Sequence, residues 1–264
     1  MRGAPATVLV VRPRAQALAW VGDLAALGVA AQALPLIEIL PAPEPAQVAA
    51  VFAAIAASDA QPVLVFVSPN AVAGFFAAAA ADGDAVAWPS EAWAAGTGPG
   101  TVAALREHGV PAGRIVAPPE QRGQFDSEAL WSVIATWPWV GRPVWIVRGN
   151  GGRDWLSGKL RDAGAQVRVV QSYARAAPLL SAPERAALDA ALAEPARWVW
   201  MFSSSEAIDH LQALAPDAHW AGGLALTSHP RIAERARALG FGTVTIVAPS
   251  PAAVAAAVDA IEAR

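Results

Sequence analysis

The sequence predicts an α/β fold made of two similar doubly wound parallel sheets, and three observations carry that prediction. Short apolar, β-branched runs recur along the chain: VLVV (Val8 to Val11), VLVFV (Val63 to Val67), VWIV (Val144 to Val147), VWMF (Val199 to Phe202) and GTVTIV (Gly242 to Val247). Strands buried on both faces of a parallel sheet read this way. Between them, QALAWVGDLAALG (Gln16 to Gly28) and RDWLSGKLRDAG (Arg153 to Gly164) have apolar residues at helical spacing and end at glycine, a usual helix stop. The chain also repeats itself. VLVVR lies over VWIVR at an offset of 136, which superposes Leu24 on Leu160, Gly28 on Gly164 and FVSPNAV (from Phe66) on FSSSEAI (from Phe202). At an offset of 131, GPGTVAALREHG matches HPRIAERARALG. Such an offset predicts two copies of one strand–helix plan, not a solenoid, whose repeats run to ~20–50 residues.

The elements follow in order. After the first strand and helix comes LPLIEILPAPEP (Leu34 to Pro45), whose prolines favour extended backbone and predict a connector. The uncharged run from Ala60 to Ala81 is long enough to cross a bilayer, but Pro62, Pro69 and Asn70 interrupt it, so it predicts strand, turn and helix. GTGPGT (Gly96 to Thr101) is a glycine-proline turn ahead of a helix, and FDSEAL is a solvated helix start in which Asp126 and Glu128 carry no chemistry. The second copy opens at VWIVR, and its connector is VVQSYARAAPLL (Val169 to Leu180), which holds Tyr173, the single tyrosine.

Composition narrows the function classes. With 264 residues, 55% hydrophobic and 16% charged, the chain is globular and long enough for two domains. Its net charge of −3 provides no bulk attraction for nucleic acid, so an anionic ligand must be held by local groups. All 19 cationic residues except Lys159 are arginine, which genomic bias explains as readily as a need for guanidinium. The absence of cysteine excludes disulfides, thiolate zinc sites and thiol nucleophiles, and the four histidines show no metal-ligand spacing. The run Val8 to Val11 stops at Arg12, too short for a signal-peptide core, and a cytoplasmic location is expected.

In doubly wound sheets ligands bind at the carboxyl ends of the strands, where helix N-termini present unpaired N–H groups. The residues predicted there are Arg12 and Arg14, Ser68 and Asn70, Gly96 to Thr101, Arg148 to Arg153, Ser203 to Ser205, and Thr227 to Arg231. Nearly all are donors. GTGPGT departs from GxGxxG and no GK[ST] lysine follows it. No G-x-S-x-G elbow is present. Ser68 and the serines from 203 to 205 suit helix N-caps as well as ligand contacts, His229 is read as a cap ahead of a contact to a ligand carboxylate, and Tyr173 suits either packing or chemistry.

The ordered series VLVVRP, PLIEI, VFVSPNAV, GTGPGTVAALREHG, SEAL, VRGNGGRDWLSGKLRDAGAQVRVVQSYAR and MFSSSEAI resembles the uroporphyrinogen-III synthase family over almost the whole chain. The resemblance implies two flavodoxin-like domains joined by two extended connectors, one formed by residues 1–38 with 175–264 and the other, inserted, by 41–172. It implies a lyase of haem biosynthesis that closes linear hydroxymethylbilane to uroporphyrinogen III, inverting the last pyrrole ring through a spiro intermediate, without metal or organic cofactor. That substrate carries eight carboxylates, which arginines and helix-start N–H groups would hold. On this reading Tyr173 is the candidate acid, and Arg12, Ser68, Asn70, Thr101, Arg148, Gly149, Arg153, Ser203, Ser204 and Ser228 are the candidate substrate contacts. The expected protein is a monomer with no nucleic-acid or membrane partner, receiving its substrate by transient hand-over from the preceding pathway enzyme. One loop departs from the family: TSHPRIAE (Thr227 to Glu234) stands where many members have a second glycine-proline-serine/threonine turn. Two readings of other classes remain open from the residues alone, a two-domain small-molecule binding or sensing protein and a nucleotide-dependent transferase.

Overall fold

The structure, a computed structural model, describes residues 6–58, 60–80, 86–119 and 125–263. The chain divides into two compact units, Met1–Glu38 with Ala176–Arg264, and Ile39–Arg175. Each is built on a five-stranded parallel sheet.

In the discontinuous unit the strands are β1 (Thr7–Val10), β2 (Ala31–Ala33), β10 (Trp198–Phe202), β11 (Leu224–Thr227) and β12 (Thr243–Ile246), in the order β12-β11-β10-β1-β2. Its helices are α1 (Arg14–Ala26), α7 (Ala182–Ala193), α8 (Ser205–Leu214), α9 (Pro230–Leu239) and α10 (Pro251–Glu262). Alternate residues of the central strands serve the two faces, as the pleat requires. Val8, Val10, Val199, Met201 and Leu226 pack with Leu24 of α1 and with Val254 and Val258 of α10. Trp200 and Phe202 instead stack on each other and meet Phe241 edge-on.

The continuous unit has β4 (Val63–Phe66), β5 (Trp93–Gly96), β6 (Ile115–Val116), β7 (Pro143–Arg148) and β8 (Gln166–Gln171), in the order β6-β5-β4-β7-β8. Its helices are α2 (Pro45–Ala56), α3 (Pro69–Ala79), α4 (Pro99–Glu107), α5 (Ser127–Ile134) and α6 (Trp155–Asp162). Leu64, Phe66, Trp145 and Val147 face Val48, Ile55, Val72, Phe75 and Leu105 from α2, α3 and α4. Val63, Val65, Val144 and Ile146 face Leu130, Ile134, Leu156 and Leu160 from α5 and α6. The uncharged run from residue 60 is thus β4 followed by α3. No helix among the described residues is long and apolar enough to cross a membrane.

Both connectors contain strand. β3 (Glu38–Pro41) and β9 (Tyr173–Ala176) pair as a separate two-stranded sheet. The sequence repeat is also visible, but its copies are not the two units. The offset of 136 carries the β1 residue Val8, paired with Val199, onto Val144, paired with Val63. Each unit therefore joins the leading strands of one copy to the trailing strands of the other.

Several helices open alike, with a polar residue and then proline. Ser68, His229 and Ser250 each accept a backbone N–H from the first turn, with proline immediately after. Proline is preorganised for the first helical position, where its missing N–H is not needed. The reading of His229 as a cap agrees with its acceptance of the Arg231 N–H at 3.2 Å.

Candidate functional site

Ser68 and Asn70 follow β4, Thr101 lies in the first turn of helix after β5, Arg148 ends β7, and Gly149 and Arg153 follow it, all at the carboxyl edge of the continuous unit's sheet. Tyr173 opens β9 immediately after β8. In the discontinuous unit Arg12 follows β1, Ser203 and Ser204 follow β10, and Ser228 follows β11.

Tyr173 is fixed at three points. Its side chain belongs to the core cluster, leaving the residue 5% exposed. Its ring lies so close to Gly149 that a Cβ there would stand 2.7 Å from Cζ. Its hydroxyl is 3.2 Å from Ser68 Oγ, which also accepts the Ala71 N–H at 3.1 Å. The preceding residue locks the strand onto α3: buried Ser172 donates through Oγ to Ala71 O at 2.9 Å, and its carbonyl lies where a Cβ of Gly74 would be. Asn150 completes the frame, its side chain donating to Arg175 O at 3.0 Å while its oxygen accepts the Arg175 N–H. It acts as a surrogate strand neighbour to β9.

The arginines are already engaged. Arg148 Nη1 is 2.8 Å from Asp154 Oδ1. Arg153 makes a two-pronged pair with Glu128, Nη2 to Oε2 at 2.8 Å and Nη1 to Oε1. The bond from Glu128 outweighs burial and raises the guanidinium's proton affinity. The reading of Asp126 and Glu128 as a merely solvated helix start is corrected here. Asp126 is the N-cap of α5, accepting from Ala129 N at 2.8 Å, and Glu128 binds Arg153. The error arises because the capping residue is Asp126, one position ahead of the serine considered, and Arg153 is remote in sequence. Arg12 lies over Trp20 at 4.7 Å and donates to Gln16 Oε1 at 3.2 Å through Nη2; burial lowers its pKa.

The other candidates are more ordinary. Ser204 caps α8 through the Glu206 N–H at 3.2 Å, and the Ser228 N–H donates to Phe202 O at 3.2 Å. Thr101 is 3% exposed and packs on Gly96. Asn70 is half-buried at the second residue of α3, and Ser203 is half-buried beside Ser204. Sequence reasoning missed Gly74, Ser172, Asp154 and Glu128. Gly74 alone had a signal, a glycine inside a helical pattern, which usually marks a close approach.

A concavity of about 420 Å³ lies at the opposite edge of this sheet, lined by Gln61, Pro138, Val140 and Arg142 among others. There Arg142 donates through Nε to Gln61 O at 2.8 Å and lies over Trp137. No group of three acidic, histidine or cysteine residues among the described residues is arranged to hold a metal.

The family described as Uroporphyrinogen-III synthase HemD matches residues 19–256. The uroporphyrinogen-III synthase of Escherichia coli K12 is 30% identical over 246 residues, covering 91% of this chain and 94% of the relative. That of Salmonella typhimurium is 31% identical over 251 residues, with the same coverage. Among solved structures, a mutant uroporphyrinogen III synthase of Thermus thermophilus superposes with a TM-score of 0.58 at 16% identity, covering 97% of this chain and 98% of that one. The enzyme of Helicobacter pylori gives 0.57 at 15% identity, covering 98% and 100%. These two carry the fold alone; the sequence matches carry the family. The chain belongs to the uroporphyrinogen-III synthase family of enzymes.

Proposed function

We propose that the protein converts hydroxymethylbilane to uroporphyrinogen III with inversion of the last ring. The first-ring C–O bond breaks as the departing hydroxyl takes a proton and leaves as water, giving an electrophilic azafulvene. The substituted carbon of the last ring attacks it to form a spiro centre, which fragments and recloses inverted. Loss of a proton from the last ring restores aromaticity. The balance is loss of one water with no oxidation or reduction, so the step calls for no redox partner.

The observation that carries this reading is the single phenol: Tyr173, held by Gly149 and Ser68 beside a loop bearing two arginines. The phenol O–H is a hydrogen-bond donor, and in this reading it gives its proton to the leaving hydroxyl. Ser68 Oγ, spent in part as an acceptor for Ala71 N–H, has a proton with which to support the resulting phenolate. The linear substrate closes unaided to the uninverted isomer, so the larger task is to hold one folded conformer by its carboxylates.

The test supplies freshly generated hydroxymethylbilane and separates the oxidised porphyrin isomers. Predominantly type III product is expected. Type I at the level formed without protein overturns the reading.

A further inference from the structure

We propose that Asp154 and Glu128 are resident counter-ions of the loop between β7 and α6, neutralising Arg148 and Arg153 until carboxylates of the substrate displace them. The proposal rests on the reading of the substrate as a polycarboxylate. Both arginines, Arg148 at the end of β7 and Arg153 in the loop, already carry a carboxylate. A ligand carboxylate that takes the Arg153 fork, or the Arg148 Nη1 that Asp154 holds, must therefore exchange with the resident one. Such an exchange is nearly balanced in energy, because one charge-assisted pair replaces another at a water-exposed edge.

The backbone at Asp154 supports the exchange. Asp154 stands directly before α6, where aspartate normally accepts a first-turn N–H. It makes no such bond, and its φ and ψ of −90° and 7° differ from extended capping geometry. Its carboxylate is drawn to Arg148 instead, with its side chain 73% exposed. Asp126 is an internal comparison. At the equivalent place before α5, with extended φ and ψ of −145° and −176°, it caps Ala129 N at 2.8 Å. An aspartate in extended geometry thus caps its helix in this fold, whereas Asp154 is turned onto Arg148. Once a ligand carboxylate takes Arg148, Asp154 is free to move onto the first-turn N–H groups of α6, which offsets part of the lost ion pair. Gly151 and Gly152, at φ of +78° and +112°, lie just upstream and allow the small backbone rotation this needs.

Glu128 acts on Arg153 in the same sense. Its two-pronged grip presets the guanidinium plane in the orientation a second carboxylate would meet. The pair is half-exposed, at 41% and 36% of the two side chains, so its loss costs little beyond the charge itself.

The test compares Asp154→Asn, which keeps an equally good N-cap without the charge, and Glu128→Gln with the wild type. Glu194→Gln is the control: it removes the same charge from an exposed pair with Arg197 in the other unit. The Kd of uroporphyrin III is read from tryptophan quenching, and the KM from fresh hydroxymethylbilane. Each of the first two variants is expected to lower both constants about two- to fivefold, the affinity equivalent of an exposed ion pair. The gain should shrink at raised salt, and Glu194→Gln should match the wild type. An unchanged or higher Kd in Asp154→Asn with an unaltered melting curve overturns the exchange, as does an equal gain in Glu194→Gln. Failure of the wild type to make type III product would strike the functional reading instead, and the Kd comparison reads the counter-ions separately from it.

Discussion

At Tyr173, packing and the proposed chemistry belong to opposite ends of one side chain. The ring is core, pressed on Gly149, and only the hydroxyl, 3.2 Å from Ser68 Oγ, is polar. Tyr173→Phe keeps the ring and removes one hydrogen bond, so stability should fall by about 0.5–1.5 kcal/mol. If the phenol is the acid, turnover should fall far more, near the lower end of the ~10²–10⁴-fold range for general acid catalysis, because the chemistry also runs unaided. Wild-type turnover at saturating fresh substrate would return the hydroxyl to packing alone. Gly149→Ala asks the complementary question. Its Cβ would stand 2.7 Å from Cζ of the ring, so overpacking should cost about 1–3 kcal/mol and turnover should drop with the hydroxyl still present. Melting identical to wild type would show that the ring yields without cost. Tyr173 was legible as the single tyrosine, and Gly149 as part of a loop at a strand end. That Gly149 must be bare was not legible, because the contact depends on where β9 crosses the end of β7.

Among the elements, α7 shows how local sequence and remote contact combine. SAPE is a capping-box sequence (Ser181 to Glu184), and Glu184 Oε2 accepts from both the N–H and the Oγ–H of Ser181 at 2.7 Å. Arg14, at the start of α1, reaches the other oxygen at 2.7 Å. Burial to 6% exposure would raise the carboxyl's pKa, but the bonds from Arg14 and Ser181 outweigh it and the net shift is downward. The folded carboxyl thus binds a proton less readily than the unfolded one. Its contribution is complete above the unfolded value of about 4.3 and is lost as pH falls through the lower folded value. Glu184→Ala should destabilise the protein by about 0.5–2 kcal/mol at neutral pH, the usual worth of a cap. The gap from wild type should close on acidification below pH ~4, as followed by thermal melts. A gap independent of pH would assign the loss to packing. The same division holds at the site: serines before helices are readable as caps, whereas the partners Glu128 and Asp154 follow from side-chain directions that local pattern does not encode.

At the scale of the molecule, the repeat was legible and its assembly was not. Apolar parallel strands such as VLVF and VWMF look alike, so periodicity cannot say which copy a strand will pair with. The resemblance to a family, not composition, supplied the expectation that the first strand and helix join the C-terminal part. In the structure β1 of the first copy pairs with β10 of the second, and β4 of the first with β7 of the second, in matching register. Each sheet therefore takes two strands from one copy and three from the other, and the seam between copies runs through the middle of both cores. Cutting the chain near the repeat boundary, between Thr136 and Trp137, should leave two fragments that each expose an unpaired apolar central strand. Neither should melt cooperatively alone, since burial of these strands on both faces is the main stabilising term. Mixed at equal concentration, they should recover a single transition whose midpoint rises with concentration, as association requires. A cooperative transition in either fragment by itself would show that one copy suffices to make a core, and that the exchange of strands is a detail of topology instead of the basis of the fold.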